Sequence, residues 1–419
     1  GSLDPNRHPM HFPFPMHFPF SPSRSLVLAC LCAATLPSQG GDWPHWRGPD
    51  RNGISPENLP AGALNNIGGK IAWKAEVGTG FASVSVVGDR LFTTGHRKGT
   101  DTIYCLSTKD GSILWKHSFN ADLGDKFYEG GPGATPTVAG ERVYLLSKWG
   151  DLFCLRSTDG AVAWKKQLQE EAGVRVPTWG FNGSATVVGD AVFLNVGTAG
   201  MALRTDDGGI LWSSEKGDPG YSTPLPVKLG GTAAILLASG KYYLAVDPAT
   251  GKRLWSHRWI TRYGVNAADP LVNGTRVFIS SGYNKGCALL ETGDNQVESI
   301  WKNKELRNQF SGSVLIDGHL YGIDGDSNGD ASLKCLDWKT GGVKWSFDKC
   351  GFGSLLAVRD QLLVLDHGGT LWVAPASPTG FKPSSSGKIL DGKCWTVPVL
   401  AHGKLYARNA SGTLVCVEW

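Results

Sequence analysis

Apolar and polar residues alternate along short stretches of this chain, and each stretch is broken by a two-residue turn rich in Gly, Asp and Asn. VSVVGDRLFTT, PTVAGERVYLL, ATVVGDAVFLN, PLVNGTRVFIS, VLIDGHLYGID and VLAHGKLYARN are six versions of one pattern. Alternation places every second side chain on the same face of a strand, and the turn between two such runs predicts a β-hairpin. Each unit continues into a third strand, a Gly-containing turn, and a fourth strand ending at Trp. The tryptophans that close these units are Trp73, Trp115, Trp164, Trp212, Trp255, Trp301 and Trp345, spaced 42 to 49 residues apart. A period in the forties built from strands and turns is the mark of a β-propeller.

Eight units can be counted, beginning near Ala82, Ala134, Ser184, Ser222, Ala268, Gly312, Ser354 and Thr396. The seventh is degenerate, with APASPTGFKPSSSGKIL in place of the Gly-containing turn and Trp. The eighth stops at its third strand, LVCVEW, while GKIAWKAEV (residues 69–77) lies unused before the first complete unit. The expected fold is therefore all-β: an eight-bladed propeller of four-stranded antiparallel blades. The N-terminal strand joins the last blade, closing the ring and removing its open sheet edges.

The composition agrees: 56 Gly and 16 Trp accompany only 19% charged residues. A formal charge of +4, without a Lys/Arg cluster or nucleobase-stacking motif, argues against a nucleic-acid partner. Residues 1–40 read as a leader. A Pro/Phe-rich stretch and Arg24 precede the apolar run LVLACLCAATL (residues 26–36), too short to span a bilayer. The small residues Ser38 and Gly40 mark cleavage after Gly40, with a lipid anchor on Cys30 as the alternative. The expected protein is exported to the periplasm or beyond, monomeric and without a membrane span. Its expected division is leader 1–40, N-terminal arm 41–68 and propeller 69–419.

Seven cysteines follow the leader, without metal-site spacing. Cys105, Cys154, Cys335 and Cys416 hold one place in their repeats and read as small buried strand residues. Cys350 and Cys394, each in a Lys-Cys pair at the entry to a unit, are either free thiols or partners in a disulfide.

VDPATGKRLW (residues 246–255) and, less closely, CLDWKTGGVKW (residues 335–345) resemble the tryptophan-docking motif of PQQ-like β-propeller repeats. These repeats occur in quinoprotein alcohol dehydrogenases and in the outer-membrane barrel assembly propeller of Gram-negative bacteria. The resemblance covers about residues 69–419, and the preceding DWPHWRGPDRNGISPE is similar to a leader found before such propellers. It implies that Trp73, Trp115, Trp164, Trp212, Trp255 and Trp345 fasten neighbouring blades and have no chemical role. It also allows a dehydrogenase oxidising alcohols or sugars with PQQ and Ca²⁺, for which Glu129, Asn182, Asn266 and Asp269 are candidate ligands. Against this, the chain has no adjacent cysteine pair and is shorter than those enzymes.

Residues entering the inner strands should gather at one mouth of the central channel. Aromatics recur there: Phe81, Phe181, Tyr221, Tyr263, Phe310, Phe352 and Trp395, with Trp179, Phe127 and Tyr128 nearby. Basic residues accompany them, namely Lys126, Arg175, Arg262, Arg307, Lys349 and Lys393. Such a collar suits an anionic small molecule, glycan or protein segment; the competing reading is that the aromatics are wedges between blades. DGDSNGD offers Asp324, Asp326 and Asn328 at the spacing of a Ca²⁺ loop but lacks its closing Glu, so an extended hairpin loop is the better reading. No hydrolase or nucleotide-binding motif is present. The function expected is a binding or assembly scaffold engaging its partner at this mouth, with the quinoprotein dehydrogenase as the alternative.

Overall fold

The computed structural model describes residues 41–60, 62–67, 70–293 and 295–418. The expected leader, residues 1–40, with Cys30, lies outside them. Eight sheets form the blades of a propeller, each with four antiparallel strands, and the seventh carries a fifth, parallel strand, Ile54–Ser55. Blade 1 comprises Ser85–Val87, Arg90–Arg97, Thr100–Ser107 and Ile113–Asn120, from the channel outward, and the others repeat it. Blade 8 takes Val399–Ala401, Lys404–Arg408 and Thr413–Val417 from the end of the chain and Ile71–Glu76 from its beginning. Trp73 lies opposite Cys416 in that last pairing, so the N-terminal strand closes the ring as the repeat pattern required.

The middle strands are buried on both faces because each blade is sandwiched between two others. This explains continuous buried runs such as Leu362–Leu365 where a half-buried sheet would alternate. The fourth strand carries a register irregularity beside its Trp in blades 1 to 6 and in blade 8. Trp115, Trp164, Trp345 and Trp73 face Cys105, Cys154, Cys335 and Cys416, and Trp212 and Trp255 face Ala202 and Ala245. The repeated cysteines are thus the small residues that leave room for an indole across the strand pair.

Each indole then reaches into the next blade. Trp73, Trp115, Trp164, Trp212, Trp301 and Trp345 donate their N–H groups to the carbonyls of Thr108, Ser157, Thr205, Pro248, Trp338 and Ser377, at 2.7 to 3.1 Å. The turn glycine of the receiving blade lies against the ring. A Cβ at Gly111 would stand 2.6 Å from Trp73, and one at Gly208 2.8 Å from Trp164. Both glycines also have φ above +70°, which L residues disfavour. Trp301 docks in the same way on Gly341 although its own unit lacks the Gly-containing phrase. Trp255 instead packs among Val277, Ile279 and Leu290 of blade 5. Burying such a ring between blades stabilises the fold by roughly 3–5 kcal/mol relative to Ala.

Near the channel, short hydroxyl side chains join the blades. Thr135, Ser184 and Thr223 accept the backbone N–H groups of Ser83, Thr135 and Ser184 at 3.0 Å. In blade 5 this place is held by Asp269, which accepts the Thr223 N–H at 2.8 Å, and in blade 6 by Gly312. These two departures from the repeat mark where the N-terminal arm docks.

Candidate functional site

The arm threads the channel. At the lower mouth, where the inner strands end, Asp42 pairs with His402 at 2.7 Å. Trp43 exchanges backbone hydrogen bonds with Val86 of blade 1. On the return path, Ile54–Ser55 forms a parallel pair with Ala357–Val358 of blade 7. Between these ends the chain climbs the channel. The Arg47 guanidinium occupies the space a side chain at Gly312 would need and donates to the Ser313 carbonyl at 2.6 Å. A Cβ at Gly48 (φ +81°) would stand 2.8 Å from the Trp43 ring. Arg47 itself has φ of 66°, a left-handed conformation held by the bonds around it.

At the top of this climb Trp46 donates its indole N–H to Asp269. Asp269 is buried, and burial pushes its carboxyl above the ordinary range against the pull of Arg47, the Trp46 N–H and Arg51. Burial likewise lowers Arg47, and burial followed by Arg51 lowers His45 well below the usual imidazole value. A single acid therefore sits over two channel arginines. That arrangement fixes the tip of the arm.

Trp46 and Asp269 close the floor of a cavity of about 310 Å³ at the upper mouth. Its wall holds Phe81, Phe127, Tyr128, Trp179, Tyr221, Tyr283, Phe310 and Trp395. The rings form a near-continuous collar. Phe81 meets Tyr128 and Trp395, Trp395 meets Phe310 and Phe352, and Trp179 meets Tyr221 and Tyr263, with centroids 4.9 to 6.3 Å apart. Such separations favour tilted aromatic contacts. Asn182, Gln309 and Asp326 add polar atoms, and the Gln309 carbonyl oxygen is buried without a partner.

The aromatic part of the expected collar thus comes together, apart from Phe352, which is 4% exposed in the core between blades 6 and 7, and Phe181. The Phe181 ring is 2% exposed, packed among Leu146, Leu152 and Ala185 between blades 2 and 3, and it acts as a wedge. The basic part does not form a free positive ring. Arg175 pairs with Asp218 at 3.2 Å, and Lys393 with Glu129 at 2.6 Å while lying 4.1 Å from the Trp395 ring centre. Burial works against the Glu129 charge, yet Lys393 holds its carboxyl below the ordinary range. Arg307 is bound to Asp324 at 2.8 Å and to Asp330 at 3.1 Å, and the Asp324 hydrogen bond raises the guanidinium further. Arg262 covers Tyr263 at 5.0 Å.

The proposed start of a Ca²⁺ loop is spent in the same way. Asp324 serves Arg307 and Lys334, and Asp326 accepts the backbone N–H of Tyr283 at 2.8 Å. Asn328 falls in a short turn, Asn328–Asp330, within the expected hairpin connection. Cys350 and Cys394 are free, buried thiols packed in separate apolar clusters, so they do not form a disulfide. Asn266 is buried and donates to the carbonyls of Ser239 and Trp259.

Sequence reasoning missed Trp46, Tyr283 and Gln309 as parts of this site. The available signal for Trp46 was the pair of irregular belt positions, Asp269 and Gly312, which only an incoming chain explains. Tyr283 sits in the hairpin between the second and third strands of blade 5 and Gln309 in the loop between blades 5 and 6, where lengths differ from unit to unit and repeat alignment gives no register.

A ring of eight four-stranded blades fastened by Gly–Trp contacts is a propeller of the PQQ-like-repeat class. The family model described as outer membrane protein assembly factor BamB matches residues 61–215 and 126–347, and the chain belongs to that family. Among solved structures, BamB from Moraxella catarrhalis is similar at 15% identity, covering 84% of this chain and 99% of its own, with a TM-score of 0.61. Quinohemoprotein alcohol dehydrogenase from Comamonas testosteroni is similar at 12% identity, covering 90% of this chain and 80% of its own, with a TM-score of 0.68. Sqt1 from Saccharomyces cerevisiae aligns at 12% identity over 84% of this chain and 99% of its own, with a TM-score of 0.58. At these identities the likeness is one of fold. No curated protein matches the sequence significantly.

Proposed function

We propose that this chain is an exported binding or assembly scaffold whose ligand or protein partner docks in the aromatic cup at the upper mouth. In this reading a leader, residues 1–40, directs export; an arm, 41–68, plugs the channel; and the propeller, 69–419, acts as a monomer. The observation that carries the proposal is the convergence of rings from several blades and from the arm on one cavity whose floor the arm closes. A packed core has no need to leave Phe127 at 79%, Tyr263 at 62% and Phe310 at 44% exposure around a common opening. The family's printed description, an assembly factor, supports a protein partner.

The quinoprotein reading is supported by fold likeness to alcohol dehydrogenases. The side chains here do not fit it. Among the described residues no group of three His, Cys, Asp or Glu could hold a metal ion. Of the acids at the mouth, Glu129 is engaged with Lys393, Asp269 with Trp46 and Thr223, and Asp326 with the backbone N–H of Tyr283. The cavity wall presents no Lys or Arg to the carboxylates of PQQ.

The test is partner capture by crosslinking in the native envelope. Phe310→Ala and Trp395→Ala should abolish it, whereas Ile113→Ala on the outer rim should not. PQQ- and Ca²⁺-dependent alcohol oxidation that disappears with the same cup substitutions would establish the enzyme instead.

A further inference from the structure

The charge distribution around the cup narrows what it can hold. An anion would enter a space whose lining contains no Lys, Arg or His and does contain the carboxyl groups of Asp269 and Asp326. An organic cation meets the opposite obstacle at the rim. Lys126 lies 5.3 Å from the Phe127 ring centre, Arg262 5.0 Å from Tyr263 and Lys393 4.1 Å from Trp395, while Lys148, buried beneath the rim, lies 4.7 Å from Tyr128. The protein's own cations thus already lie against three of the eight wall rings, Phe127, Tyr128 and Trp395. Lys126 and Arg262 have no ion-pair partner among the described residues, so the approach is repulsive to positive charge as well.

The hydrogen-bonding groups point the same way. The Trp46 and Trp395 indole N–H groups are used by Asp269 and by His367, the latter at 3.0 Å. The Asn182 amide N–H group is used by the carbonyls of Trp179 and Gly180. The half-buried Asp326 carboxylate, which accepts the Tyr283 N–H at 2.8 Å, keeps lone pairs for a further donor, whereas the Gln309 carbonyl oxygen is sealed against Gly282. A ligand suited to this cup is neutral, supplies hydroxyl donors, and has apolar faces to lay against rings. Those are the properties of a pyranose: axial C–H groups on its faces and hydroxyls around its edge. At about 310 Å³ the cavity is at the small end of ligand sites, enough for the end of a glycan chain.

We propose that the cup binds an uncharged sugar unit, stacked on the rings at Phe310 and Trp395 with its hydroxyls donating to Asp326. This assignment rests on the cup being the docking site.

The experiment is titration of the folded chain, followed by tryptophan fluorescence and calorimetry. The probes are cellotetraose, xylotetraose, mannotetraose and chitotetraose, with tetragalacturonate and tetralysine as charged counterparts. At least one neutral tetrasaccharide should bind, at least tenfold more tightly than either charged probe and with little dependence on salt. Phe310→Ala and Phe127→Ala, at exposed positions that leave the fold intact, should each weaken it by about tenfold or more. Preferential binding of tetragalacturonate or tetralysine, or neutral-sugar binding indifferent to both substitutions, overturns the assignment. Binding of no neutral sugar also overturns it; the cup as a docking site then stands only if partner capture is still lost in Phe310→Ala.

Discussion

Single aromatic residues that look equivalent in the repeat do opposite work here. Phe181 and Phe310 enter adjacent positions of their units, yet one is a wedge and the other an open wall. Phe181→Ala should therefore cost about 3–5 kcal/mol of stability, whereas Phe310→Ala should leave the melting temperature within a degree or two. Denaturant titration of both variants checks the assignment. The thiols give a second test. Burial pushes Cys287, Cys350, Cys394 and Cys416 up to about 12, and Cys105 and Cys335 up to about 11. In the unfolded chain they ionise near the free value of about 8.5. Unfolding then releases protons that the native state retains. Their contribution to stability is fully present below about pH 8.5 and is lost as pH rises through the folded values. Urea midpoints should fall steadily above pH 9, and these thiols should resist maleimide at pH 8 until urea is added.

At the scale of elements, the Gly–Trp clasp and the arm govern the architecture. Gly208→Ala brings a methyl group against Trp164, while Gly140, also at positive φ, has open space around it. Gly208→Ala should thus destabilise the protein by about 1–3 kcal/mol more than Gly140→Ala, the difference reporting the clasp alone. Much of this level was legible in the sequence, because a clasp repeated blade after blade leaves a periodic trace. The cysteines opposite the tryptophans were legible as small strand residues for the same reason. The arm was not. It occurs once, so no repetition reveals it, and its contacts with Asp269, Gly312 and Ala357 are long-range pairings with no local signature. Trp46→Ala removes the floor of the cup and leaves Asp269 without the indole donor. The expected result is a modest loss of stability, about 1–3 kcal/mol, together with loss of ligand binding.

The whole molecule is a closed ring made from strands at both ends of the chain, with its channel filled from below by the arm and open above as an aromatic cup. The fold could be read from the sequence, since periodicity gave the blade count and the incomplete last blade gave the closure. The site could be read only in part. Aromatic positions follow the repeat, but the pairing of Arg175, Arg307 and Lys393 with acids depends on loops that do not, and this pairing neutralises half of the expected basic collar. Fold likeness to both an assembly factor and a dehydrogenase cannot choose between functions, whereas the side chains around the cavity can. The most direct measurement fills the cup. Ala267 lines it, and Ala267→Trp occupies its volume at a position away from the blade clasps. With native circular dichroism and melting temperature retained, partner capture and neutral-tetrasaccharide binding should both disappear in this variant. Retention of both by a folded Ala267→Trp protein would contradict the account and place the working surface elsewhere on the propeller.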